Sequence, residues 1–288
     1  MYSTPLSQRI IEYKRIPNWP TRAHHLLHAF TKDDLSVREL AGIIENHPAI
    51  AARLIGLANS AWVAPASPVF SVERACMILG LTVVRSVTIG LAVFSPFNSS
   101  VCPAFDFHRF WVSSKLVADC TVLLAYAMPT PPDLTFLQTV HISGLLHNLG
   151  LLCMADMMPE ETQLALSVVK KSPKLGLQET LKSTTDTDFC EVGGLFAEAW
   201  GLPQDLIAAI KYHRDEQYQG PFWEYALLVG IAVQIVSAFF RDQEMQMPPQ
   251  PALEKLNINP TCRQQVFNQL QAKFQETSEL AKTLFHAI

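Results

Sequence analysis

Apolar residues along this chain recur at the three- and four-residue spacing of a helix, and no stretch shows the strict alternation typical of a strand. Ser36 and Glu39 have the spacing of a helix capping box. The apolar residues Leu40, Ile43 and Ile44 follow them on one helical face. No Asn-Gly pair joins two alternating runs, as a tight hairpin would require. The pattern therefore predicts an all-α fold.

Residues with special backbone preferences mark where the predicted helices begin and end. Pro48 can occupy the first turn of a helix, where its missing amide is not needed. Ser71, Thr82 and Asp188 can each cap a following helix, and Gly80 stands where the helix after Ser71 should end. The helices predicted from these and similar signals cover residues 48–60, 72–79, 83–94, 107–127, 189–200, 203–213 and 221–241.

Loop-forming residues divide the chain into three predicted parts. Residues 98–103 contain an Asn, two Ser and a Pro and predict a linker. A second loop, rich in Pro and Gln, is predicted at residues 246–251. The parts are an N-terminal helical lobe over residues 1–100, a second helical lobe over residues 101–245, and docked C-terminal helices over residues 246–288.

The apolar residues near the C-terminus have helical spacing, and the opposite face of that helix is not strongly basic. This pattern favours a helix docked on the protein over one that binds a membrane surface. The residues of the apolar face are Phe267, Leu270, Phe274, Leu280 and Leu284.

The composition limits the classes of function. Of the 288 residues, 49% are hydrophobic and only 17% are charged, so much apolar surface must be buried or covered by a partner. The net charge of -4 lacks the basic footprint of a nucleic-acid binder, which disfavours such a role. The six cysteines form no CxxC pair, which favours a reducing compartment. The charged N-terminus and the shortness of the longest apolar stretch, residues 227–240, predict a cytoplasmic protein without membrane insertion.

Two blocks of the sequence carry a recognisable family pattern. The first comprises LSVRELAGIIENHPAIAARLIGLANSAW at 35–62 and SVERACMILGLTVVRSVTIGLAVF at 71–94. The second comprises ISGLLHNLGLL at 142–152 and EVGGLFAEAWGLPQDLIAAIKYHR at 191–214. From about Ile16 to its end, the chain resembles the HDOD family, the HD-related output domains of bacterial signalling proteins. The resemblance implies an all-α fold, with a first helical lobe packed on a degenerate HD-like lobe, and a role in signal transduction or regulation.

The resemblance also implies where the metal centre of HD-superfamily phosphohydrolases would lie in this chain. That centre uses an early His, an adjacent His-Asp pair, further His and a late Asp to hold divalent cations. The matching positions are Ser113 for the early His, His147-Asn148 for the His-Asp pair, Phe189 or Cys190 for a further His, Tyr212-His213-Arg214 for a later His-containing pattern, and the vicinity of Val233 for the late Asp.

The residues left at these positions are two imidazoles and a neutral amide, with no carboxylate. Asn148 can offer an oxygen but no negative charge, on which hard cations depend. Arg214 adds a positive charge that opposes cation binding. We therefore expect no catalytic residue, no metal and no cofactor.

One interpretation of these residues is a remnant pocket that binds a ligand without a metal. It would bind an anion or a nucleotide, with Lys115 adding charge if that side chain faces the pocket. The alternative is that His147 is a core histidine whose ring is hydrogen-bonded to the backbone or to its neighbour. The candidate pocket residues are Ser113, His147, Asn148, His213 and Arg214.

Other candidate residues have simpler interpretations. His24 and His28 have the i, i+4 spacing of a metal site, but no carboxylate or cysteine is close in sequence, which favours solvated or capping roles. Phe94, Pro96 and Phe97 are the best candidates for an apolar surface presented to a partner. Packing between the two lobes is the competing interpretation of that cluster.

The residues thus favour a non-catalytic module that acts in signal transduction or regulation. It would bind another signalling protein or a small ligand. The alternative is a metal-dependent phosphohydrolase or phosphodiesterase of the HD superfamily with an atypical ligand set.

Overall fold

A computed structural model of the chain describes residues 26, 29–30, 36–94, 97–172, 174–240, 250–259 and 261–285. These residues contain no strand, so the predicted all-α class is confirmed. A 3-10 helix at Ser99–Val101 lies within the predicted linker. The α-helices are α1 Val37–Glu45, α2 Pro48–Ala58, α3 Val72–Leu79, α4 Leu81–Phe94, α5 Phe107–Tyr126, α6 Leu134–Leu146, α7 Leu149–Met157, α8 Pro159–Lys171, α9 Leu177–Thr185, α10 Phe189–Ala199, α11 Gln204–Tyr212, α12 Trp223–Phe239, α13 Gln250–Lys255 and α14 Cys262–Phe285.

Side-chain caps fix the beginning of several helices, as predicted. The Ser36 hydroxyl accepts a hydrogen bond from the Glu39 amide at 3.2 Å, and the Glu39 carboxylate accepts one from the Ser36 amide at 2.9 Å. Ser71 caps α3 and Asp188 caps α10 through their side-chain oxygens. A cap of this kind contributes about 1 kcal/mol because it satisfies an amide that the helix itself leaves unpaired.

Two predicted boundaries are wrong. α4 begins at Leu81, so that Thr82 lies in its first turn and does not cap it. Gly80 alone forms the turn between α3 and α4, with a φ of 77° that residues with a side chain rarely adopt. Its carbonyl accepts the hydrogen bond from the Val84 amide of α4. The second error concerns the loop at 246–251, because α13 begins at Gln250; residues 246–249 lie outside the described residues.

The most apolar helices are core elements. α12 buries Leu228, Val229 and Ile235, and α2 buries Leu54 and Leu57. In the part of the chain that the structure describes, no single helix has both the length and the apolar character needed to cross a membrane. α3 and α4 pass that test only as a pair, and the pair is bent by 118°.

The first helices pack on one another around a shared core. α1 and α2 both lie against α3, and α2 also contacts α4. Leu40, Ile44 and Cys76 are almost completely buried between them. Fully burying a leucine or isoleucine side chain contributes about 1.5–3 kcal/mol, so each of these contacts stabilises the packing of α1–α4.

α5 and α6 form an antiparallel hairpin that supports the rest of the second lobe. The Thr121 hydroxyl donates to the Val140 carbonyl at 2.9 Å, and Gly144 lies against Ala118. A Cβ on Gly144 would stand 2.6 Å from the Ala118 Cα, so only glycine permits this approach. α12 packs on α5, α7 packs on α10, and α11 lies between α10 and α12. This order brings the end of α6, the start of α10 and the end of α11 together.

α14 is docked along α5 and reaches the N-terminal helices. Arg53 of α2 donates from Nη1 to the Leu284 carbonyl at 2.7 Å. The Phe285 ring meets Phe107 and Trp111 edge-on, with centroids 5.0 and 5.6 Å apart. α14 thus contacts both predicted lobes, and the division at residues 1–100, 101–245 and 246–288 stays a prediction.

We expect Gly150→Ala to destabilise the protein by about 1–3 kcal/mol or more, because overpacked cores must shift their backbone. A Cβ on Gly150 would collide with the Phe189 carbonyl and the Gly193 amide. Gly42 is the matched control, since it lies on the exposed face of α1 with open space around it. Gly42→Ala should instead stabilise by about 0.5–1 kcal/mol. Denaturant unfolding of both variants checks this, and equal stabilities would contradict the described packing.

Candidate functional site

The candidate site is built on the short junction between α6 and α7. α6 ends at Leu146, His147 follows in helical conformation, and Asn148 precedes the first residue of α7. Asn148 is half-buried, and its side chain makes no capping hydrogen bond. Gly150 in the first turn of α7 touches the backbone of Phe189 at the start of α10. The close contact of α7 with α10 therefore fixes where the His147 ring lies.

His147 and His213 form a buried pair. Their ring centroids are 5.3 Å apart and the rings are nearly perpendicular, at 88°. His147 Nδ1 lies 2.7 Å from the Gly144 carbonyl, and His213 Nδ1 lies 3.0 Å from the Ile210 carbonyl. A carbonyl can only accept, so each Nδ1 carries the proton and each Nε2 holds a lone pair. The Nε2 of His147 has no hydrogen-bond partner among the described residues.

Both imidazoles are neutral at pH 7. Burial lowers the pKa of His147 to about 4; the bond to Gly144 opposes this shift in part, and Arg214 adds to it. Burial also holds the pKa of His213 well below 6.5, with further lowering by His147 and Arg214. A buried charged imidazole would be unpaired here, so the neutral form is the one that the surroundings favour.

The first turn of α10 completes the surroundings of His213. Cys190 Sγ lies 4.0 and 3.9 Å from the two ring nitrogens of His213, and the Phe189 ring centroid lies 6.1 Å from that of His213. Both positions that could replace a family histidine are therefore next to the pair. Burial, reinforced by Asp188, raises the pKa of the Cys190 thiol, so it stays protonated at neutral pH.

A small cavity of about 140 Å³ lies on the α12 side of His213. Glu216 at its rim accepts a hydrogen bond from Gln234 at 3.0 Å. Gly230 allows α12 to approach, because a Cβ there would collide with the His213 carbonyl. The cavity is lined by His213, Arg214, Asp215, Glu216, Leu227, Gly230, Ile231, Gln234 and Ala252.

The structure brings some of the predicted pocket residues together and leaves others apart. His213 and Arg214 share the cavity, and His147 adjoins it through His213. Ser113 lies on α5, partly exposed, and makes no hydrogen bond with either histidine. Lys115 does not supply charge to this pocket, because its ammonium binds both carboxylate oxygens of Asp119 at 2.6 and 2.7 Å.

Helix register explains which serine faces the junction of α6 and α7. Ala118 lies against Gly144, so the residues one turn away on each helix, Ser114 and Asn148, are level with each other. Ser114 is fully buried, and its hydroxyl has no hydrogen-bond partner in the described chain. The sequence alone could not separate Ser113 from Ser114, since the side of α5 that faces α6 depends on tertiary packing.

The predicted partner surface is wrong for Phe94. Its side chain is only 4% exposed and packs edge-on against Phe107 and Phe110. Phe97 is partly buried and stacks at a tilt against Trp200, with centroids 6.2 Å apart. These contacts match the competing interpretation, in which the cluster packs between the two lobes. Pro96 lies outside the described residues.

The sequence profile described as the HDOD domain matches residues 16–216. The chain belongs to the HDOD family. The match covers both blocks that carry the family pattern and includes both histidines, Phe189, Cys190 and Arg214; the α12 residues that line the cavity beside His213 lie after its end.

Solved structures share this HDOD fold. A proposed signal transduction protein from Marinobacter aquaeolei VT8 aligns with a TM-score of 0.83 at 22% identity, over 96% of this chain and 65% of that one. An HDOD domain protein of unknown function from Geobacter sulfurreducens gives 0.74 at 20% identity, over 97% and 96% of the two chains. A proposed phosphohydrolase from Shewanella amazonensis SB2B gives 0.69 at 21% identity, over 96% and 97%. At these identities the likeness shows the fold alone.

A curated relative extends well beyond the matched region. An uncharacterized protein from Treponema pallidum (strain Nichols) is 23% identical over 202 residues, which are 69% of this chain. The match spans 38% of that relative's own length. The relative therefore assigns no activity to this chain.

The divalent metal implied by the HD superfamily does not fit the residues of this HDOD chain. His147 and His213 supply two imidazoles, and Asn148 replaces the central carboxylate. Val233 packs against the apolar core, so the late position carries no ligand either. Among the described residues, no group of three or more His, Cys, Asp or Glu side chains is arranged to hold a metal ion. Catalytic zinc is held by three protein ligands, and Mg²⁺ needs at least one carboxylate, which these positions lack.

We expect the free energy of unfolding to fall as pH decreases from 6.5 to 4. In that range the unfolded chain protonates His147, whose ordinary pKa is 6.5, while the folded chain, with a pKa of about 4, does not. The unfolded state then binds more protons, so acid favours it. His147→Gln should reduce the slope of stability against pH by up to about 1.4 kcal/mol per pH unit.

Asn148→Ser is the matched control for this prediction, since it alters the same junction without removing a titrating group. Its slope should equal that of the unaltered protein in urea unfolding between pH 5 and 7. A His147→Gln variant with an unchanged slope would show that His147 is not held neutral in the folded protein.

Proposed function

We propose that this HDOD chain is a non-catalytic module that relays a signal by binding another signalling protein or a small ligand. The observation that carries the proposal is the residue set at the family's metal positions. It comprises two neutral imidazoles beside a protonated thiol, an amide and a valine, without a carboxylate.

Hydrolysis of a phosphoester by an HD-type centre needs a cation that activates water and offsets the charge of the phosphate. Here both Nδ1 atoms are committed to backbone carbonyls, so Nε2 is the nitrogen that each ring can offer to a ligand. Arg214 lies close enough to lower the pKa of both histidines, and its charge repels a cation. The charge of Arg214 and the missing carboxylate support a binding role over metal-assisted catalysis.

The cavity beside His213 supports binding of a small chemical group. Pockets for drug-sized ligands measure about 300–1,000 Å³, so about 140 Å³ has room for a side chain or a fragment but not for a nucleotide. Arg214, Glu216 and Gln234 place positive, negative and amide groups at its wall. This combination suits a polar side chain of a partner protein, or one end of a larger ligand that remains outside.

One observation favours the alternative, a metal-dependent phosphohydrolase with an atypical ligand set. The Nε2 of His147 is buried with no hydrogen-bond partner in the described part of the chain, and a neutral imidazole is the form that binds metals. The names of the structural neighbours divide between the two functions, since the Marinobacter protein is a proposed signal transduction protein and one Shewanella protein a proposed phosphohydrolase. Direct assay therefore has to decide.

We expect no Mn²⁺-dependent turnover of nucleotides, cyclic dinucleotides or a chromogenic phosphodiester by the full chain. Asn148→Asp should not create turnover, because Ser113 and Val233 still leave the site short of ligands. His147→Ala should lower the stability by about 1–3 kcal/mol, since it removes a packed, hydrogen-bonded ring. The measurements are product release and a melting curve on each protein.

His108→Ala is the matched control, because His108 is a partly buried histidine of α5 that hydrogen-bonds the Ser278 carbonyl and not the histidine pair. One result would establish the phosphohydrolase and contradict our proposal. It is metal-dependent turnover that persists in His108→Ala and is lost in a His147→Ala variant that still folds.

A further inference from the structure

An exposed aromatic cluster lies where the first turns of α6 and α12 meet. It consists of Phe136 on α6 and of Phe222 and Tyr225 at the start of α12. The ring centroids of Phe136 and Tyr225 are 4.9 Å apart, and those of Phe222 and Tyr225 are 6.2 Å apart. The ring planes meet at 45° and 65°, so no pair is stacked and the rings do not cover one another's faces. Phe222 is 42% exposed, and Leu134, the first residue of α6, is 49% exposed.

The backbone of Phe222 adopts a conformation that its side chain disfavours. Its φ is 62° and its ψ is 26°, in the left-handed region, where a bulky residue is an outlier. Such a conformation costs free energy, and glycine would adopt it without strain. The Tyr218 hydroxyl donates to the Pro221 carbonyl at 2.9 Å, which fixes the turn that precedes Phe222. A half-exposed ring gives little burial in return for this strain, which favours a role of the ring in recognition.

Acidic residues stand at the same two helix starts. Asp133 caps α6, and its Oδ1 accepts the Phe136 amide at 2.7 Å, which places the carboxylate next to the cluster. Glu224 lies in the first turn of α12, between Phe222 and Tyr225 in the sequence. Neither acid forms an ion pair within the described residues. The start of a helix carries about half a positive charge, so the two carboxylates leave this surface with a net negative charge of about one.

In the part of the chain that the structure describes, no lysine or arginine lies over a ring of the cluster, although Arg109 lies 5.0 Å from the ring centroid of Phe240. Burial raises the pKa of Tyr225 to about 12, and three carboxylates add to the shift. They belong to Asp205 in the first turn of α11, Asp133 and Glu224. The rings and carboxylates together therefore favour a positive group that these residues do not supply.

We propose that an arginine-containing segment of a partner protein binds to this surface. The aromatic–acidic patch that receives it consists of Asp133, Phe136, Phe222, Glu224 and Tyr225. A guanidinium can lie over an aromatic face and form two parallel hydrogen bonds with a carboxylate, which an ammonium cannot do. An apolar residue beside the arginine would pack on the exposed part of Phe222. The net charge of -4 attracts such a segment from a distance.

The aromatic–acidic patch is separate from the histidine pair. From Phe136 to His147 the distance along α6 is about 16 Å. Binding of a basic segment at the start of α6 therefore does not depend on whether the histidine pair is catalytic, and its test needs no turnover or metal.

The experiment measures binding of a dye-labelled peptide, acetyl-AARLRAA-amide, to the full chain by fluorescence anisotropy at constant low ionic strength. A second peptide, acetyl-AAQLQAA-amide, has the same length without the positive charges. The variants are Phe222→Gly and Glu224→Gln. Phe70→Gly is the matched control for the ring, because Phe70 is an exposed phenylalanine before α3. Glu160→Gln is the matched control for the charge, because Glu160 is an exposed acid in the first turn of α8.

We expect saturable binding of the arginine peptide by the unaltered protein and by both controls. Phe222→Gly and Glu224→Gln should each lose affinity by about three- to tenfold. The glutamine peptide should bind the unaltered protein about tenfold more weakly or less. Phe222→Gly should not lower the melting temperature, because glycine relieves the strained φ. Weaker binding by a variant of equal or higher stability cannot be ascribed to unfolding.

Absence of saturable binding of the arginine peptide to the unaltered protein would overturn the proposal. Equal affinities in all the proteins, or equal binding of both peptides, would do the same, because the arginines would then bind elsewhere or contribute nothing. A dimer in sedimentation that Phe222→Gly dissociates would show that a second copy covers the patch, and would also overturn it. If Phe222→Gly is less stable than expected, Glu224→Gln decides, since it keeps every ring of the cluster.

Discussion

Backbone contact between α7 and α10 sets the geometry on which the rest of the second lobe depends. Gly150 touches the backbone of Phe189 and Gly193, and Gly193 in turn lies against the Ile210 side chain of α11. Without side chains between them, these helices approach more closely than usual and bring His147 against His213. The positions of the imidazoles therefore follow from the packing of glycines, and a histidine pair could stay in place after the ligands around it had been replaced.

Much of the local structure could be predicted because it depends on neighbouring residues. The capping box at Ser36 and the cap at Asp188 are set within one turn of chain, and the structure has them as expected. Thr82 was the exception, since a glycine with positive φ made a separate cap unnecessary. Phe94 could not be assigned from sequence, because the same apolar cluster would suit a partner or a lobe interface, and the rings of α5 that cover it lie on the far side of the predicted linker.

The sequence could not show which helices pack against one another. Lys115 and Asp119 have the i, i+4 spacing of a helical ion pair, but the burial of the pair and the approach of Lys273 from α14 depend on the complete fold. The two polar regions of the molecule differ in a way that spacing could not reveal. The histidine pair is neutral and offers nitrogen lone pairs, whereas Lys115 and Lys273 place two ammonium groups beside the single carboxylate of Asp119. The histidines can therefore accept a hydrogen bond, and the ammonium groups donate.

The bond from Arg53 to the Leu284 carbonyl joins residues that are 231 positions apart in the chain. Long-range contacts of this kind slow folding, because a large loop must be closed before they contribute. During synthesis α2 leaves the ribosome long before its partner on α14 exists. The N-terminal helices must therefore stay soluble without their contact to α14 until almost all of this sequence has been translated. Any dependence of folding on a chaperone should be concentrated in that interval.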